Sequence, residues 1–144
     1  MVEERVYGRR VYLAGPMAGI PEDNFPLFQH AQAILESLGA EVVNPAGIRP
    51  RGHKGPCPPG PQGNSAHTGP CHLREDIREL VRCDLIVLLP GWEASVGARL
   101  EMIVATQCAL GVLFYDTHNS MVFDQVGQFV ERFEDDGPVM VEAI

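Results

Sequence analysis

The sequence predicts an α/β protein built on a doubly wound parallel sheet. Short apolar segments of strand length alternate along the 144 residues with longer segments whose apolar residues recur at helical spacing, the pattern of consecutive βα units. The unbroken apolar run over 85–89 is typical of a central strand that is buried on both faces. A chain of this length builds one core, so we expect a single domain over residues 1–144.

The first third of the chain predicts a strand, a helix and a second strand. Gly15 and Pro16 end the first apolar stretch. Asp23 and Asn24 are residue types that begin helices, and Gly39 is a residue type that ends them. The predicted elements are a strand over 9–14, a loop over 15–21, a helix from Asp23 or Asn24 to Gly39, and a strand over 41–45.

Residues 46–70 predict a long Pro/Gly-rich insertion loop. Seven of the 12 prolines and six of the 15 glycines lie from Pro45 to Pro70. Such a stretch cannot continue a helix or the interior of a sheet, because proline lacks a backbone donor and glycine has no side chain to pack. We expect this loop to cover one end of the domain.

The second half of the chain continues the alternation of helices and strands. Apolar residues from Leu73 to Val81 form the buried stripe of a helix, while Glu75, Glu79 and the interleaved arginines predict a solvated ion-pair surface. The predicted elements are a helix over 72–82, the strand over 85–89, a helix over 96–109, a strand over 112–115, and a last helix from Ser120 to Phe133.

Charge and composition narrow the function classes. The net charge of −8 disfavours duplex nucleic acid as a partner, because phosphate binding needs a basic face. No apolar run approaches the roughly 20 residues of a membrane helix, and the N-terminus lacks a signal-peptide pattern. We therefore expect a cytoplasmic protein with neither nucleic acid nor membrane as a partner, whose four cysteines are thiols.

Common nucleotide and hydrolase motifs are missing from the sequence. There is no P-loop, no dinucleotide-binding glycine fingerprint after the first strand, and no G-x-S-x-G elbow. An FMN site on a flavodoxin-like sheet is conceivable from fold alone, but no phosphate loop supports it. We expect no cofactor.

Two carboxylates occupy unusual positions. Asp76 lies on the buried stripe of its helix, where a carboxylate is costly unless it is paired or functional. Glu101 lies about one turn into the next helix, where the helix dipole favours its ionised form. An ionised, partly buried carboxylate at the end of a parallel sheet suits a nucleophile. The alternative is that both form structural ion pairs with arginines such as Arg99 or Arg74.

Three segments of the sequence form a recognisable set of motifs. They are Y-L-A-G-P-M-A-G from Tyr12 to Gly19, R-E-D-I over 74–77 with Cys83-Asp84, and G-W-E-A-S-V-G-A-R-L-E from Gly91 to Glu101. In order and spacing these segments resemble the nucleoside 2-deoxyribosyltransferase superfamily, which also contains nucleoside 5′-monophosphate N-glycosidases. The resemblance spans about residues 11–116 and is closest to an uncharacterised, often phage-linked branch.

This resemblance implies a flavodoxin-like, three-layer α/β/α fold and a retaining glycosidase mechanism. Glu101 matches the glutamate that attacks C1′ of the sugar, and Asp76 matches the aspartate that assists departure of the base. Asp84 more plausibly orders the turn from helix to strand than contacts substrate. The other residues that the resemblance places at the sugar and phosphate end are Tyr12, Gly15, Pro16, Met17, Gly19 and Gly97.

Ser95 bears on the substrate class. The transferases of the superfamily have an aspartate at this position, which holds the sugar 5′-hydroxyl, whereas the monophosphate hydrolases have serine. A carboxylate would repel a 5′-phosphate, and a hydroxyl at a helix N-terminus can donate to it. The expected activity is therefore hydrolysis of a (deoxy)nucleoside 5′-monophosphate to free base and sugar 5-phosphate. Ser95 could equally be a simple N-cap, and a base-exchanging transferase or a non-catalytic nucleotide-binding protein are the alternatives.

The resemblance also implies a homodimer or larger homo-oligomer with a shared active site. In the superfamily a segment after the fourth strand completes the neighbouring subunit's site, and Asn119 and Ser120 fall at that place. Trp92 could stack on a base or pack at the subunit interface.

The Pro/Gly-rich loop invites a zinc hypothesis that its spacing does not favour. The C-x₁₃-C-H arrangement lacks the close cysteine pairs of structural zinc sites, so we expect no metal. The residues concerned are His53, Cys57, His67, Cys71 and His72.

Overall fold

The computed structural model describes residues 5–48, 69–116, 121–124, 129–134 and 137–140, with side chains over 5–48 and 71–115. Three α-helices and seven strands lie in these ranges. The helices are α1 (Phe25–Ser37), α2 (Gly69–Leu80) and α3 (Val96–Gln107). The strands are β1 (Arg10–Ala14), β2 (Glu41–Val43), β3 (Leu85–Leu88), β4 (Gly111–Asp116), β5 (Met121–Asp124), β6 (Phe129–Glu134) and β7 (Gly137–Met140).

The strands form one mixed sheet in the order β2-β1-β3-β4-β5-β6-β7. The first four strands are parallel, and helices flank them as in a flavodoxin-like α/β/α fold, which confirms the predicted fold class. The strand order reverses at β1, because the chain first moves outward to β2 and then to the other side at β3. Ligands of open α/β sheets bind in the crevice beyond the carboxyl ends of the strands at such a switch point.

The predicted helix from Ser120 to Phe133 is wrong. The described residues there form β5 and β6, which continue with β7 as an antiparallel meander from the edge of β4. Helix propensity is a weak preference that tertiary pairing overrides, and the valines and phenylalanines of this region suit strands. Pairing also covers the free edge that β4 would otherwise expose.

Each face of the parallel strands carries its own hydrophobic cluster. Phe28, Ala31 and Leu35 of α1 pack on one face, and Leu80 of α2 and Ala98 of α3 pack on the other. The run over 85–89 is buried throughout, as a central strand requires.

Close contact between two loops accounts for two of the motif glycines. A Cβ on Gly15 would lie 2.9 Å from Cβ of Leu89, and a Cβ on Gly91 would lie 3.1 Å from Cγ of Pro16. Gly91 also has a φ of 87°, a conformation that other residues rarely adopt. The loops after β1 and β3 therefore touch at the switch point because both carry glycine there.

Asp84, from the second motif segment, and Asn24, which precedes α1, have local structural roles. The Asp84 carboxylate accepts from the Arg10 backbone N–H at 2.9 Å, which joins the start of β3 to β1. Asn24 precedes α1 but does not cap it through its side chain. Its Nδ2 donates instead to the Pro16 carbonyl at 2.8 Å, so Asn24 supports the loop after β1.

No helix in the described ranges has the length and apolar character needed to cross a membrane.

Candidate active site

Tyr12 and Glu101 meet beneath the switch point. Tyr12 lies on β1 and is fully buried, and its side chain belongs to the cluster between the sheet and α2 and α3. Glu101 lies in the second turn of α3 and is 6% exposed. The Tyr12 hydroxyl donates a short hydrogen bond to the Glu101 carboxylate. A strand residue thus holds the carboxylate that sequence resemblance selected as the nucleophile.

Burial dominates the proton affinity of Glu101. The pKa of Glu101 is raised to about 8, and desolvation is the largest cause. The hydrogen bond from Tyr12 lowers the pKa, and the negative charge of Asp76 raises it. The dipole of α3 was expected to favour ionisation, but desolvation outweighs it. The free protein therefore holds a proton on Glu101 over much of the neutral range, and the Tyr12 hydroxyl is the group that favours the ionised form.

Asp76 extends the same acidic site from α2. Its side chain is half-buried, and burial together with the neighbouring Glu75 raises its pKa to about 7. Asp76 also raises the pKa values of Tyr12 and Glu101, so its charge acts on both. The site therefore contains two carboxyl groups that titrate near neutral pH, which is the property required of an acid and a nucleophile that share a proton.

In the described part of the chain, no arginine side chain neutralises these two carboxyl groups. Among the described residues, neither Asp76 nor Glu101 forms an ion pair with an arginine. The described side chains thus do not form the structural ion pairs that were the alternative explanation for these two carboxylates. A buried carboxyl without a counter-ion is costly, and such groups concentrate at functional sites.

Ser95 is the N-cap of α3. Its hydroxyl oxygen accepts from the Ala98 backbone N–H at 3.2 Å, which leaves the hydroxyl proton available to a ligand. A Cβ on Gly97 would come no closer than 4.0 Å, to the Ser95 Oγ. The helix N-terminus therefore combines a hydroxyl donor with open space next to it.

The loop after β1 has an inner and an outer part. Met17 packs against the core on the α1 side, and Pro16 contacts the Gly91 position. Gly19 has a φ of 79° and open space around its Cβ position, so its conformation rather than packing explains the glycine.

Trp92 lines a cleft beside the ends of β3 and β4. Its ring centroid is 5.9 Å from that of Phe114, with the rings tilted by 45°, and the two help to line a cleft of about 320 Å³. Trp92 also packs against the cluster that contains Tyr12. The contact with Phe114 explains part of the packing of the Trp92 ring, and it does not identify a ligand for this ring.

Three residues that line a groove along β2, Gln32, Asn44 and Glu75, were not predicted from the sequence as site residues. Glu75 was expected on a solvated surface, but it is 7% exposed and its carboxylate lies 3.3 Å from Arg78. The helical pattern of α2 cannot reveal this, because the covering atoms come from other parts of the fold.

Some predicted residues lie outside the described ranges. Asn119 and Ser120, expected to reach a neighbouring subunit, are among them, as are His53, Cys57 and His67 of the zinc hypothesis. In the described part of the chain, no group of three or more potential metal ligands converges.

Comparison with known families adds one finding. A family model described as a domain of unknown function, DUF4406, matches residues 9–114. The chain belongs to the DUF4406 family. The matched span contains Tyr12, Asp76, Ser95 and Glu101, so the whole acidic site belongs to the shared DUF4406 domain. A search of the curated proteins gives no match.

Proposed function

We propose that the protein hydrolyses the N-glycosidic bond of a (deoxy)nucleoside 5′-monophosphate and releases the free base and the sugar 5-phosphate. The observation that carries this proposal is the buried Glu101, which accepts a hydrogen bond from Tyr12 next to a second carboxyl group, Asp76. The resemblance to nucleoside 2-deoxyribosyltransferases and monophosphate N-glycosidases supplies the reaction class.

In the first step the Glu101 carboxylate attacks C1′ of the sugar. A C1′–O bond forms, the C1′–N bond breaks, and its electron pair leaves with the base, which takes a proton from Asp76. The free protein holds the shared proton mainly on Glu101, so attack requires the form in which this proton is on Asp76. The hydrogen bond from the Tyr12 hydroxyl favours that form, because it positions the Glu101 carboxylate and stabilises its negative charge.

In the second step water attacks C1′ of the glycosyl ester. The ester C1′–O bond breaks and restores the Glu101 carboxylate, while the Asp76 carboxylate takes the proton of the water. Both residues return to their starting protonation states, as a retaining double displacement requires.

The surroundings of Ser95 favour a substrate with a 5′-phosphate over one with a free 5′-hydroxyl. The hydroxyl, the N-terminus of α3 and the open space at Gly97 provide donors for an anion without adding a negative charge. In the proposed hydrolysis, water accepts the glycosyl group, so the site does not have to bind a second base.

The direct test is chromatography of free base released from ribo- and deoxyribonucleoside 5′-monophosphates and from the matching nucleosides. We expect release from monophosphates only. Release from nucleosides in the presence of a second free base would instead indicate a transferase, and tight binding without product would indicate a nucleotide-binding protein.

Two variants of Ser95 separate the phosphate role from the capping role. Asparagine and aspartate both cap helices, but only aspartate adds a negative charge. Ser95→Asp should lower monophosphate turnover roughly 10- to 100-fold by charge repulsion, while Ser95→Asn keeps most of it. Equal effects of the two variants would remove the phosphate from the proposal.

We also propose that the protein is a homodimer that joins through the outer faces of α2 and α3. Val96, Leu100 and Ile103 recur at i, i+4 and i+7 on α3 and are 64%, 42% and 57% exposed. Val81, which was expected in the buried stripe of α2, is 49% exposed, and the two helices pack side by side. Adjacent exposed apolar side chains of this kind mark interaction surfaces, and a second copy offers a matching one.

The dimer proposal is tested by light scattering on Ile103→Asp. We expect this variant to be monomeric at a concentration where the wild type is dimeric, because the aspartate would be desolvated at the interface. Ala33→Asp, at an exposed position of α1, is the control and should remain dimeric. A monomeric wild type, or a dimeric Ile103→Asp, contradicts the proposed interface.

A further inference from the structure

A polar groove runs along the free edge of β2, close to the acidic site. Its volume is about 690 Å³, within the range of small-molecule sites. Val43 lines the groove, pairs in register with Tyr12 and packs against the cluster that contains it. Glu75 also lines the groove and immediately precedes Asp76. Through these two lining residues the groove adjoins Tyr12 and Asp76, and its volume is sufficient for a nucleobase.

The two walls of the groove have different chemistry. Phe25, Gln29 and Gln32 line it from α1, at i, i+4 and i+7 on one helical face. Glu75 and Glu79 line it from α2, at i and i+4. One wall thus carries an aromatic ring and amide groups, and the other carries two carboxylates. Arg10, which also lines the groove, lies 3.4 Å from Glu79, and Arg78 lies 3.3 Å from Glu75, so oxygen atoms not used in these ion pairs remain as acceptors.

A backbone amide determines which way the Gln32 side chain faces. The Ala46 N–H can only donate, and it lies 2.9 Å from the Asn44 side-chain oxygen. The Asn44 Nδ2 must therefore point away, and it donates to Gln32 Oε1 at 3.0 Å. With its oxygen occupied, Gln32 has its NH₂ group left for a ligand, and this group has no partner among the described residues.

We infer that the β2 groove holds the base of the substrate and that Gln32 donates a hydrogen bond to a carbonyl oxygen of that base. This inference rests on the proposed function and names the substrate class within it, a nucleotide with an oxo-substituted base. A ring N–H beside the carbonyl finds its acceptors on the opposite wall, at the carboxylates of α2. An amino group at the carbonyl position would face the Gln32 NH₂ group donor to donor.

Hypoxanthine and adenine nucleotides test the inference, because these bases differ in an oxygen or an amino group at C6. The wild type should prefer the hypoxanthine 5′-monophosphate in kcat/KM. Gln32→Glu replaces the donor by a carboxylate oxygen and should reduce this preference by roughly tenfold or more. Gln107→Glu makes the same change at an exposed position of α3 and should leave the preference unchanged.

Asn44→Asp provides an independent route to the same result. Aspartate still accepts from the Ala46 N–H but has no donor for Gln32. The Gln32 amide should then turn so that its NH₂ group faces Asp and its oxygen faces the groove. Both variants are therefore expected to shift the preference from the oxo to the amino base, although only one of them changes Gln32.

Calorimetric binding of the two nucleotides to each protein separates this inference from the proposed function. Turnover by the wild type with an unchanged base preference in both variants would overturn the groove assignment and leave the hydrolase intact. Binding without turnover, with an oxo preference that Gln32→Glu removes, would retain the groove and overturn the hydrolase. Binding that is indifferent to the base, or no binding, would overturn the groove assignment.

Discussion

Replacing Glu101 by glutamine is expected to lower base release by at least about 10³-fold, because glutamine cannot form the ester with C1′. Nucleotide binding should be largely retained, since glutamine has the same shape and its oxygen can still accept from the Tyr12 hydroxyl. Initial rates of base release and calorimetric affinity on the same preparation measure both effects.

Glu36→Gln is the matched control for this loss of activity. Glu36 lies exposed on α1, on the opposite side of the sheet from Glu101. We expect wild-type rates from this variant. Full activity of Glu101→Gln would rule out Glu101 as the nucleophile, whereas loss of both activity and binding would point to a structural role.

The same substitution is expected to stabilise the protein at alkaline pH. Burial raises the pKa of Glu101 from 4.5 to about 8, so the folded protein disfavours the ionised form. This loss of folding stability is absent below pH 4.5, where the Glu101 carboxyl is protonated in both the folded and the unfolded chain. It grows as the unfolded chain ionises and reaches its full value above pH 8, where the folded carboxyl ionises as well.

Thermal unfolding at two pH values measures this penalty. Glu101→Gln should unfold roughly 5–10 °C above the wild type at pH 9, corresponding to about 2–4 kcal/mol. At pH 4.5 the difference should be small. A difference that does not change with pH would mean that burial does not raise the pKa of Glu101. Higher stability with lost activity is the combination expected of a functional carboxyl group.

Local patterns were sufficient to predict the parallel core of the fold. The apolar run over 85–89, the helical spacing before Gly39 and the glycines of the two motif loops predict strands, helix and turns from chemistry that acts within a few residues. The prediction of a helix from Ser120 to Phe133 is wrong because the outcome depends on a distant partner, the edge of β4. Pairing across the sheet is not encoded in local periodicity.

The acidic site, like the fold, could be predicted from the sequence only in part. Glu101 and Asp76 are conspicuous in the sequence, since each is a carboxylate within an apolar helical pattern. The pairing of Glu101 with Tyr12 joins residues 89 positions apart, and only the packing of α3 on the sheet produces it. The burial of Glu75 and the orientation of Gln32 depend likewise on neighbours from other elements.

Patterns along the chain are sufficient to predict the α/β class, the alternation of strands and helices in the parallel core, and the two carboxyl groups that lie within apolar helical patterns. These properties follow from side-chain periodicity and from the conformational limits of glycine and proline, which act locally. Only the folded chain reveals the antiparallel extension of the sheet, the raised pKa values of the acidic pair and the shape of the β2 groove. Each of these depends on desolvation or hydrogen bonding by residues that are distant in sequence and adjacent in space.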